Sequence, residues 1–479
     1  MQTVLPISPA QLSRGASTPL SAQLAQRYAE RIQQRLLLAG ARLPSVREAA
    51  RRHGVSASTV VGAYDLLQAQ GLVQALPQRG FFVRAQALPG SAQRRAAPGA
   101  PPVPPLAAPV NATALIRSMF QVQGGKPAPA MGTLPEDWLD AALLQRALRA
   151  VVSRKGQAQA WLRYGDPAGD MTLRQALSRR LADLGVAAAP TQIVTTVGAT
   201  QALDLVARTL LKPGDAVLVD EPGWAVEFAR LALLGLRVLP VPRGVDGPDL
   251  AVMETLLKAH RPRLFVTVSV LHNPTGSCIT PAVAHRLLRL AEEHDVWIAE
   301  DDTYAWLAPT HSTRLAQLDG LQRTISISGF SKVLAPQWRV GFLAAAPALV
   351  ERIINTKLLG TLTSPALLEQ AVAHCLDQGS LRRHAERLTE RLAVARTRTV
   401  GLAQQAGCHF VTPPAGLFGW VDVGSDTERL AQLLLDDGWL TAPGTLFHAT
   451  PRPTRLMRVN FASAQDPRFW KRVAQARRG

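Results

Sequence analysis

The chain has 479 residues, of which 47% are hydrophobic and 18% charged. This composition supports a large buried core and excludes a globally disordered protein. No apolar run approaches the roughly 18 residues that cross a bilayer, and the N-terminus lacks the basic start and apolar core of an export signal. The three cysteines are too few for a disulfide framework or a four-cysteine zinc site. We therefore expect a cytoplasmic protein with no membrane span and no metal site.

The formal net charge of +18 is concentrated near the N-terminus. Residues 1–84 carry ten arginines and three acidic residues, a charge of +7, whereas the 370 residues from Val110 onward carry only +9. A short and densely basic segment favours a polyanionic partner, with nucleic acid as the first candidate. An arginine-rich composition bias explains the charge equally well, because lysine is scarce throughout. Charge alone leaves both explanations open.

A change in composition divides the chain into two domains. Residues 85–109 contain seven prolines and eight alanines, which cannot build a core and which favour extended polyproline segments. We predict a linker over residues 85–112. It joins an N-terminal domain at 15–84, called the head, to a C-terminal domain at 113–479, called the body.

The head shows three helical patterns followed by two short strands. Ser45 and Glu48 have the spacing of a capping box at the start of the second helix. The predicted elements are helices at 21–40, 45–53 and 56–71 and strands at 72–73 and 81–83. Two short helices across a tight turn, followed by a β-wing, predict a winged helix-turn-helix.

In this architecture the third helix enters the major groove of DNA with its N-terminal residues first, and the second helix and the wing contact the backbone. Two simpler roles stay open, since Ser56 is also a suitable N-cap and Arg79 a suitable solvated turn residue. The predicted DNA contacts are Arg47, Ser56, Ser58, Thr59, Arg79 and Gly80.

The head resembles the GntR family of winged-helix regulators over residues 19–83. The resemblance rests on Leu-Pro-Ser-Val-Arg-Glu-Ala-Ala at 43–50, on Gly-Val-Ser at 54–56 and on the residues that follow to Gly71 and Leu72. It implies that the head binds an operator in double-stranded DNA. Relatives often carry an arginine after the residue that opens the recognition helix. This chain has Ala57 there, which implies weaker base readout, or readout moved to Arg47 and Arg79.

In the body, strand-like runs alternate with helical stretches, which predicts a mostly parallel sheet covered on both faces. Ligands bind at the carboxyl ends of such strands. The chain has seven lysines, and only Lys332 directly follows a strand-like run through a turn of small residues. The others, including Lys357, lie in helical or surface contexts or in loops before proline. The predicted strands are at 193–197, 216–219, 264–270, 296–299 and 324–328.

Other strand ends of the body carry polar and aromatic candidates. Each has a simpler role when taken alone, because many strand–glycine–helix turns bind nothing, adjacent acids cap helices, and aromatic residues near loops usually pack. Together with Lys332 they supply the amine, the acid, the hydrogen-bond donors and the phosphate cradle that pyridoxal phosphate requires. The candidates are Ala199, Thr200, Trp224, Asn273, Asp301, Tyr304, Ser331 and Arg339.

From about Ala114 to the C-terminus the chain resembles the class I/II group of fold-type I aminotransferases. The resemblance implies a large subdomain at about 155–360 and a small subdomain in the remainder of the body. It further implies that Lys332 forms the internal aldimine of pyridoxal phosphate and that Asp301 pairs with the ring nitrogen. The roles implied for the other ring contacts are hydrogen bonds to the phenolic oxygen from Asn273 and Tyr304, and stacking by Trp224.

The same resemblance assigns the remaining groups of the site. It implies that Ala199, Thr200 and Arg339 bind the cofactor phosphate and that Tyr164 reaches a phosphate across a dimer interface. Arg458 matches the arginine that binds the α-carboxylate of a substrate. At Gly329 relatives often have serine or threonine, so that Ser328 or Ser331 takes over that phosphate contact or the contact is missing.

A GntR-like head joined to an aminotransferase-like body is the layout of the MocR-type regulators, which the chain resembles from end to end. We therefore expect an α/β protein that carries pyridoxal phosphate, responds to an amino compound or to the cofactor itself, and forms a homodimer. One alternative is an active aminotransferase with a vestigial or modulating head. Another is a DNA-binding protein in which the cofactor is purely structural.

Overall fold

The computed structural model divides the chain into two compact units, residues 1–126 and 127–479. The linker predicted at 85–112 lies outside the described residues. The structure describes residues 12–13, 15, 17–33, 37, 40–76, 79–84 and 128–477.

The head contains three helices and an antiparallel hairpin. Ser45 and Ser56 are the N-caps of the second and third helices, because their hydroxyl oxygens accept hydrogen bonds from the backbone N–H groups of Glu48 at 3.3 Å and Thr59 at 3.1 Å. Gly54 ends the second helix with a φ of +64°, which favours glycine. The elements are α1 (Leu20–Gln33), α2 (Val46–His53), α3 (Ala57–Ala69), β1 (Val73–Leu76) and β2 (Gly80–Val83).

The core of the head joins all three helices to the hairpin. Leu24, Val60 and Leu67 are fully buried, and the buried Tyr64 donates a hydrogen bond from its hydroxyl to the carbonyl of Pro44 at 2.8 Å. The segment 40–43 pairs with β2 through three backbone hydrogen bonds of 2.8 to 2.9 Å. The head is therefore the predicted winged helix-turn-helix.

The body is built on an eight-stranded sheet. Its strands are β3 (Ile193–Thr196), β4 (Ala216–Glu221), β5 (Arg237–Gly244), β6 (Gly247–Pro248), β7 (Leu264–Thr267), β8 (Trp297–Asp301), β9 (Thr324–Gly329) and β10 (Gly341–Ala344). The strand order is β3-β10-β9-β8-β7-β4-β5-β6. Strands β5, β4, β7, β8 and β9 are parallel, with Ile298 paired with Thr324 in the register of β8 and β9, whereas β10 is antiparallel to both of its neighbours.

Helices cover both faces of this sheet because the central strands are apolar and buried along their whole length. Separate apolar clusters pack on the two faces. The helices are α4 (Ala141–Val152), α5 (Gln157–Ala160), α6 (Met171–Asp183), α7 (Ala199–Leu210), α8 (Ala225–Leu233), α9 (Leu250–His260), α10 (Pro281–Glu293), α11 (Leu315–Asp319), α12 (Pro347–Gly360), α13 (Ala366–Asp377), α14 (Ser380–Gln405), α15 (Thr427–Asp436) and α16 (Pro467–Arg477).

A second, antiparallel sheet lies in the C-terminal part of the body. Its strands are β11 (His409–Phe410), β12 (Phe418–Asp422), β13 (Ala442–Pro443) and β14 (Leu456–Asn460), in the order β11-β12-β14-β13. Trp420 of β12 is paired with Arg458 of β14. Trp439, Phe469 and Trp470 pack against the sheet in their own buried cluster.

The predicted α/β class, with a winged head and a mostly parallel sheet in the body, is confirmed. Strand β7 stops at Thr267, before the predicted end at 270, and β8 continues beyond its predicted end to Asp301. Within the described ranges, no helix combines the length and the hydropathy that a membrane span needs.

Candidate cofactor and ligand site

The site residues predicted from separate parts of the sequence meet at one edge of the large sheet. Parallel strands place their carboxyl ends at the same edge, where Trp224 follows β4, Asp301 ends β8 and Lys332 follows β9. Strand β3 runs in the same direction as β9, because β10 between them is antiparallel to both. The start of α7, with Ala199 and Thr200, therefore lies at this edge as well.

Lys332 is partly buried in the turn after β9. Its Nζ donates a hydrogen bond to the carbonyl of Gly132 at 2.8 Å and lies 6.0 Å from the ring centroid of Tyr304. The pKa of the Lys332 amine is lowered to about 8, mainly by burial and also by the positive charge of Arg458, while Asp301 opposes the shift. A larger fraction of the amine is therefore neutral near pH 7, and the neutral amine is the form that attacks an aldehyde.

Three consecutive acidic side chains at the end of β8 have three different partners. Glu300 accepts hydrogen bonds from two backbone N–H groups at the start of α11, at 2.7 and 2.8 Å, so it is the acid that caps a helix. Asp302 is paired with the Nε of Arg314 at 2.7 Å. Asp301 accepts from the backbone N–H of Thr303 at 3.0 Å and from its hydroxyl, both through Oδ1. Its Oδ2 has no hydrogen-bond partner among the residues that the structure describes.

Asp301 is therefore the acid of this group that is available to a cationic ring nitrogen. Burial raises the pKa of its carboxyl group to about 6, while its hydrogen bonds with Thr303 oppose that shift. A nearby positive charge would stabilise the ionised form of this buried carboxyl group and would return its pKa toward the ordinary value.

Arg458 is 3% exposed and has no acidic partner within the described part of the chain. Its Nη1 donates to the Oδ1 of Asn273 at 3.0 Å, its Nη2 donates to the carbonyl of Ala130, and its guanidinium lies 4.4 Å from the ring centroid of Phe418. Burial lowers its pKa to about 10. Its buried Nε has no hydrogen-bond partner in the described structure. A buried cation with an unused donor is suited to a carboxylate ligand.

Tyr304 and Asn273 present polar groups near Lys332. The ring of Tyr304 packs edge-to-face on Phe418, with 5.6 Å between centroids. Burial raises the pKa of its hydroxyl, so the group stays protonated and can donate a hydrogen bond. The Oδ1 of Asn273 is taken by Arg458, which leaves its amide nitrogen as a donor. Trp224 is partly buried at the residue before α8.

The start of α7 forms a concave group of donors. The backbone of Gly198 approaches that of Gly341 so closely that a Cβ on Gly341 would lie 2.7 Å from the nitrogen of Ala199. Arg339 donates to the carbonyl of Val197 at 3.1 Å, and a Cβ on Gly198 would lie 2.6 Å from its Nη2. No described side chain caps this helix. Free backbone N–H groups beside a guanidinium are suited to a phosphate.

Gly329 lies against this cradle, since a Cβ at that position would be 3.6 Å from the nitrogen of Ala199. In the observed rotamer Ser328 does not supply the hydroxyl that relatives often have at position 329, because its Oγ donates to the carbonyl of Asp302 at 2.8 Å. The Oγ of Ser331 instead accepts from Nη1 of Arg339 at 3.3 Å. Of the two serines, Ser331 is the one beside Arg339, a residue predicted to bind the phosphate.

Lys357, placed by the sequence in a helical or surface context, lies in a helix but not on the surface. This lysine is fully buried in α12, and its Nζ donates to the carbonyl of Thr195 at 2.8 Å. Burial lowers its pKa to about 8, an effect that nearby Glu369 opposes. Its helical spacing from Val350 and Ile353, both buried, is the signal that indicates an inward-facing position. Lys357 is thus a second buried amine close to β3.

In the head, the residues predicted to contact DNA are accessible. Arg47 and Arg79 are exposed, and the guanidinium of Arg79 lies 5.9 Å from the ring centroid of Phe82. The hydroxyl of Ser56 is shared, since besides capping α3 it lies 2.8 Å from the hydroxyls of Ser58 and Thr59. Sequence reasoning missed the exposed Arg42, whose Nε would lie 3.4 Å from a Cβ on Gly80.

Two protein families match the two domains. Residues 130–475 match the aminotransferase class I and II family, and residues 20–83 match the bacterial regulatory proteins of the gntR family. The HTH-type transcriptional regulator YdcR of Escherichia coli K12 is 30% identical over 92% of this chain and 94% of its own length. The probable rhizopine catabolism regulatory protein MocR of Rhizobium meliloti is 29% identical over 92% of this chain and 88% of its own.

Aminotransferases match a smaller share of the chain than these regulators do. The 2-aminoadipate transaminase of Thermus thermophilus is 29% identical over 71% of this chain and 84% of its own length. Among solved structures, LysN, the α-aminoadipate aminotransferase of the same organism in complex with N-(5'-phosphopyridoxyl)-L-leucine, superposes with a TM-score of 0.69. It is 26% identical and covers 76% of this chain and 94% of its own.

Proposed function

Because the chain belongs to the aminotransferase class I and II family and, with its GntR-family head, to the MocR-type transcriptional regulators, we propose that it binds an operator in double-stranded DNA. We further propose that it acts in the cytoplasm and senses an amino compound that carries a carboxylate. Its cofactor is pyridoxal phosphate. The observation that carries the proposal is the buried Arg458, a cation without a described acidic partner, in the same site as Lys332.

The residues at the sheet edge fit the cofactor group by group. When bound, pyridoxal phosphate supplies an aldehyde that condenses with a primary amine and releases one water, so that the amine of a ligand can replace that of Lys332. Asp301 would hold the proton of the ring nitrogen, because its Oδ2 is free among the described residues. Asn273 and Tyr304 would donate to the phenolic oxygen, and Trp224 would cover the ring.

The phosphate would lie at the start of α7, where the backbone N–H groups of Ala199 and Thr200, the hydroxyl of Thr200 and the guanidinium of Arg339 supply donors. Ser331 supports Arg339 through their hydrogen bond of 3.3 Å. This cradle is formed by backbone that approaches closely at Gly198 and Gly341, so its shape is held by the packing of the fold. A cradle held in this way lowers the cost of ordering on binding.

A ligand carboxylate would pair with Arg458 and place the ligand amine toward Lys332. Occupancy of the site then shifts the equilibrium between conformations of the protein only to the extent that the ligand binds one of them better. By linkage, DNA must alter the ligand affinity by the same factor as the ligand alters the DNA affinity. If the ligand regulates DNA binding, the affinity for DNA must change when the ligand is bound, and the affinity for the ligand must change equally when DNA is bound.

The head is tested by the replacement Arg47→Ala. We expect this variant to bind the upstream region of its own gene more weakly. We also expect its affinity to fall less steeply with salt, with the negative slope of log affinity against log salt smaller in magnitude by about one. The measurement is a mobility shift over a range of salt concentrations. Lys471→Ala, which removes an exposed positive charge from the body, is the control and should leave the slope unchanged. An unaltered slope for Arg47→Ala would contradict the assignment of Arg47.

Transamination is a second candidate function, favoured by the complete set of site residues and by the likeness to a 2-aminoadipate transaminase. Mixing the purified protein with a panel of amino acids, while following the absorbance of the cofactor, separates the two. Conversion of the cofactor to its amine form indicates transamination. A reversible spectral change without conversion, accompanied by a change in DNA affinity, supports sensing.

We also propose that the body forms a homodimer. Tyr164 is 83% exposed, and the apolar side chains of Leu162 and Leu359 are 79% and 94% exposed. Both exposed surfaces lie next to β3. The backbone N–H of Thr195 donates to the carbonyl of Ala168, close in sequence to Tyr164, and the carbonyl of Thr195 accepts from Lys357, which is close in sequence to Leu359. A second copy would cover these side chains and bring Tyr164 to the partner's phosphate cradle.

Sedimentation tests the homodimer. We expect the double replacement Leu162→Glu and Leu359→Glu to raise the dissociation constant of the dimer at least tenfold, because two charges from each subunit would be buried without partners. Leu233→Glu is the matched control, since Leu233 is 86% exposed at the end of α8 and lies outside the proposed interface. Equal dimerisation of the double variant and the unaltered protein would exclude this surface.

A further inference from the structure

We infer that Asn460 is a positioning residue for the ligand site, acting through the backbone of residues 129–133. The inference rests on the proposed function in one respect, that Arg458 binds the carboxylate of a ligand. Arg458 and Asn460 are two residues apart in β14, and alternate residues of a strand lie on the same side. Their side chains accordingly reach the same segment of the chain.

Asn460 is fully buried. It forms hydrogen bonds with the segment 129–133 and with Ala462, which follows β14. Its Nδ2 donates to the carbonyls of Met131 at 3.0 Å and Thr133 at 2.8 Å, and its backbone N–H donates to the carbonyl of Pro129 at 3.0 Å. Its Oδ1 accepts from the N–H of Ala462 at 2.9 Å. Both amide hydrogens are thus spent on holding the segment.

The carbonyls between these three face the ligand site. The carbonyl of Ala130 accepts from Nη2 of Arg458, and that of Gly132 accepts from Nζ of Lys332 at 2.8 Å. Odd-numbered carbonyls therefore bind Asn460, and even-numbered ones bind the two cations of the site. Fixing the first set fixes the second, because the peptide units between them are planar and short.

The segment orients Arg458 without using up its donors. A guanidinium has five N–H donors, of which one is given to Ala130 and one to Asn273. These two acceptors hold the plane of the group, while Nε and the second hydrogens of both Nη atoms stay available to a carboxylate. If Asn460 no longer holds the segment, the acceptor at Ala130 moves and the guanidinium loses its fixed orientation.

The phosphate cradle is independent of this arrangement. It is built from β3, α7 and Arg339, and the hydrogen bonds of the described residues place none of these on the segment 129–133. Loss of the Asn460 amide should therefore weaken carboxylate binding far more than cofactor binding, because the contact of Lys332 with Gly132 is the one described hydrogen bond between the segment and the cofactor-binding residues. A purely structural role of Asn460 would weaken both.

The test uses the full-length protein loaded with cofactor and 4-methylpentanoate, a carboxylate without an amine, as the probe. Calorimetric titration gives its dissociation constant, and 4-methylpentan-1-ol, which has the same chain without the carboxylate, gives the background. For Asn460→Ala we expect a dissociation constant for the carboxylate about fivefold to tenfold higher, the effect of losing hydrogen bonds of ordinary strength. The cofactor affinity of the stripped chain should change by less than about twofold.

Ser463→Ala is the matched control. It removes a hydrogen bond of 3.1 Å to the carbonyl of Ala128, next to the same segment but outside its ligand-facing part, and should leave probe affinity unchanged. If Asn460→Ala does not fold, Asn460→Ser, which keeps one hydroxyl donor, should raise the probe dissociation constant by about half as much on a logarithmic scale. Equal probe affinity in the folded variants, or an equal loss of cofactor affinity, would overturn the inference. If the unaltered protein binds no probe, the carboxylate role of Arg458 itself fails, and with it both proposals.

Discussion

Replacing Lys332 by alanine is expected to abolish covalent retention of pyridoxal phosphate. The amine of Lys332 lies among the groups suited to the ring, and its pKa of about 8 makes it a better nucleophile at neutral pH than an ordinary lysine. After gel filtration the variant should be colourless, and borohydride reduction should leave its mass unchanged. The unaltered chain should gain the mass of the cofactor less one water plus two hydrogens, which is that of one phosphopyridoxyl group.

The control for this experiment is Lys357→Met, which removes the other buried amine whose pKa is lowered to about 8. This variant should keep the cofactor, because Lys357 faces the carbonyl of Thr195 under the sheet. Loss of colour in Lys357→Met together with its persistence in Lys332→Ala would reverse the assignment. If DNA binding and its response to amino acids survive unchanged in Lys332→Ala, the sensing mechanism is wrong.

Arg458→Met should separate ligand binding from stability. Carboxylate affinity is expected to fall at least about a hundredfold, which corresponds to roughly 3 kcal/mol, because a buried charged partner is removed. The folded state should not be weakened in proportion, since Arg458 is buried without a described acidic partner and methionine has a similar length and no charge to desolvate. Thermal unfolding with and without 4-methylpentanoate measures both effects.

Arg314→Met is the contrasting variant. Arg314 is equally buried, but its Nε is paired with Asp302 at 2.7 Å. Removing it leaves a buried carboxylate without its partner, so the free energy of unfolding should fall by about 3–5 kcal/mol. If Arg458→Met is as destabilising as Arg314→Met, then Arg458 serves the fold and not a ligand.

The sequence allowed the fold and the main site residues to be predicted wherever the signal was local. Ser45 and Ser56 mark helix starts because capping depends on residues three positions apart, and both are N-caps in the structure. The apolar runs that became β4, β8 and β9 are buried along most of their length. Lys332 stood out by its place after such a run, and the edge of a parallel sheet explains why that place matters.

Contacts between distant segments were beyond prediction. The bonds from Lys332 to Gly132 and from Asn460 to Met131 join residues 200 and 329 positions apart, and no periodicity encodes such pairings. The partners of Glu300, Asp301 and Asp302 are likewise set by rotamers in the folded state, so that spacing alone left the helix-capping role and the cofactor role open.

The distance in sequence between the parts of the ligand site has a consequence for biosynthesis. The head closes its core within residues 20–83 through short-range contacts, which form fast. The ligand site is completed only when Arg458 and Asn460 have been made. At roughly 5–20 residues per second, that is on the order of 20–75 s later. Every newly made chain therefore presents a folded basic head to the cell before it possesses the site that would govern it.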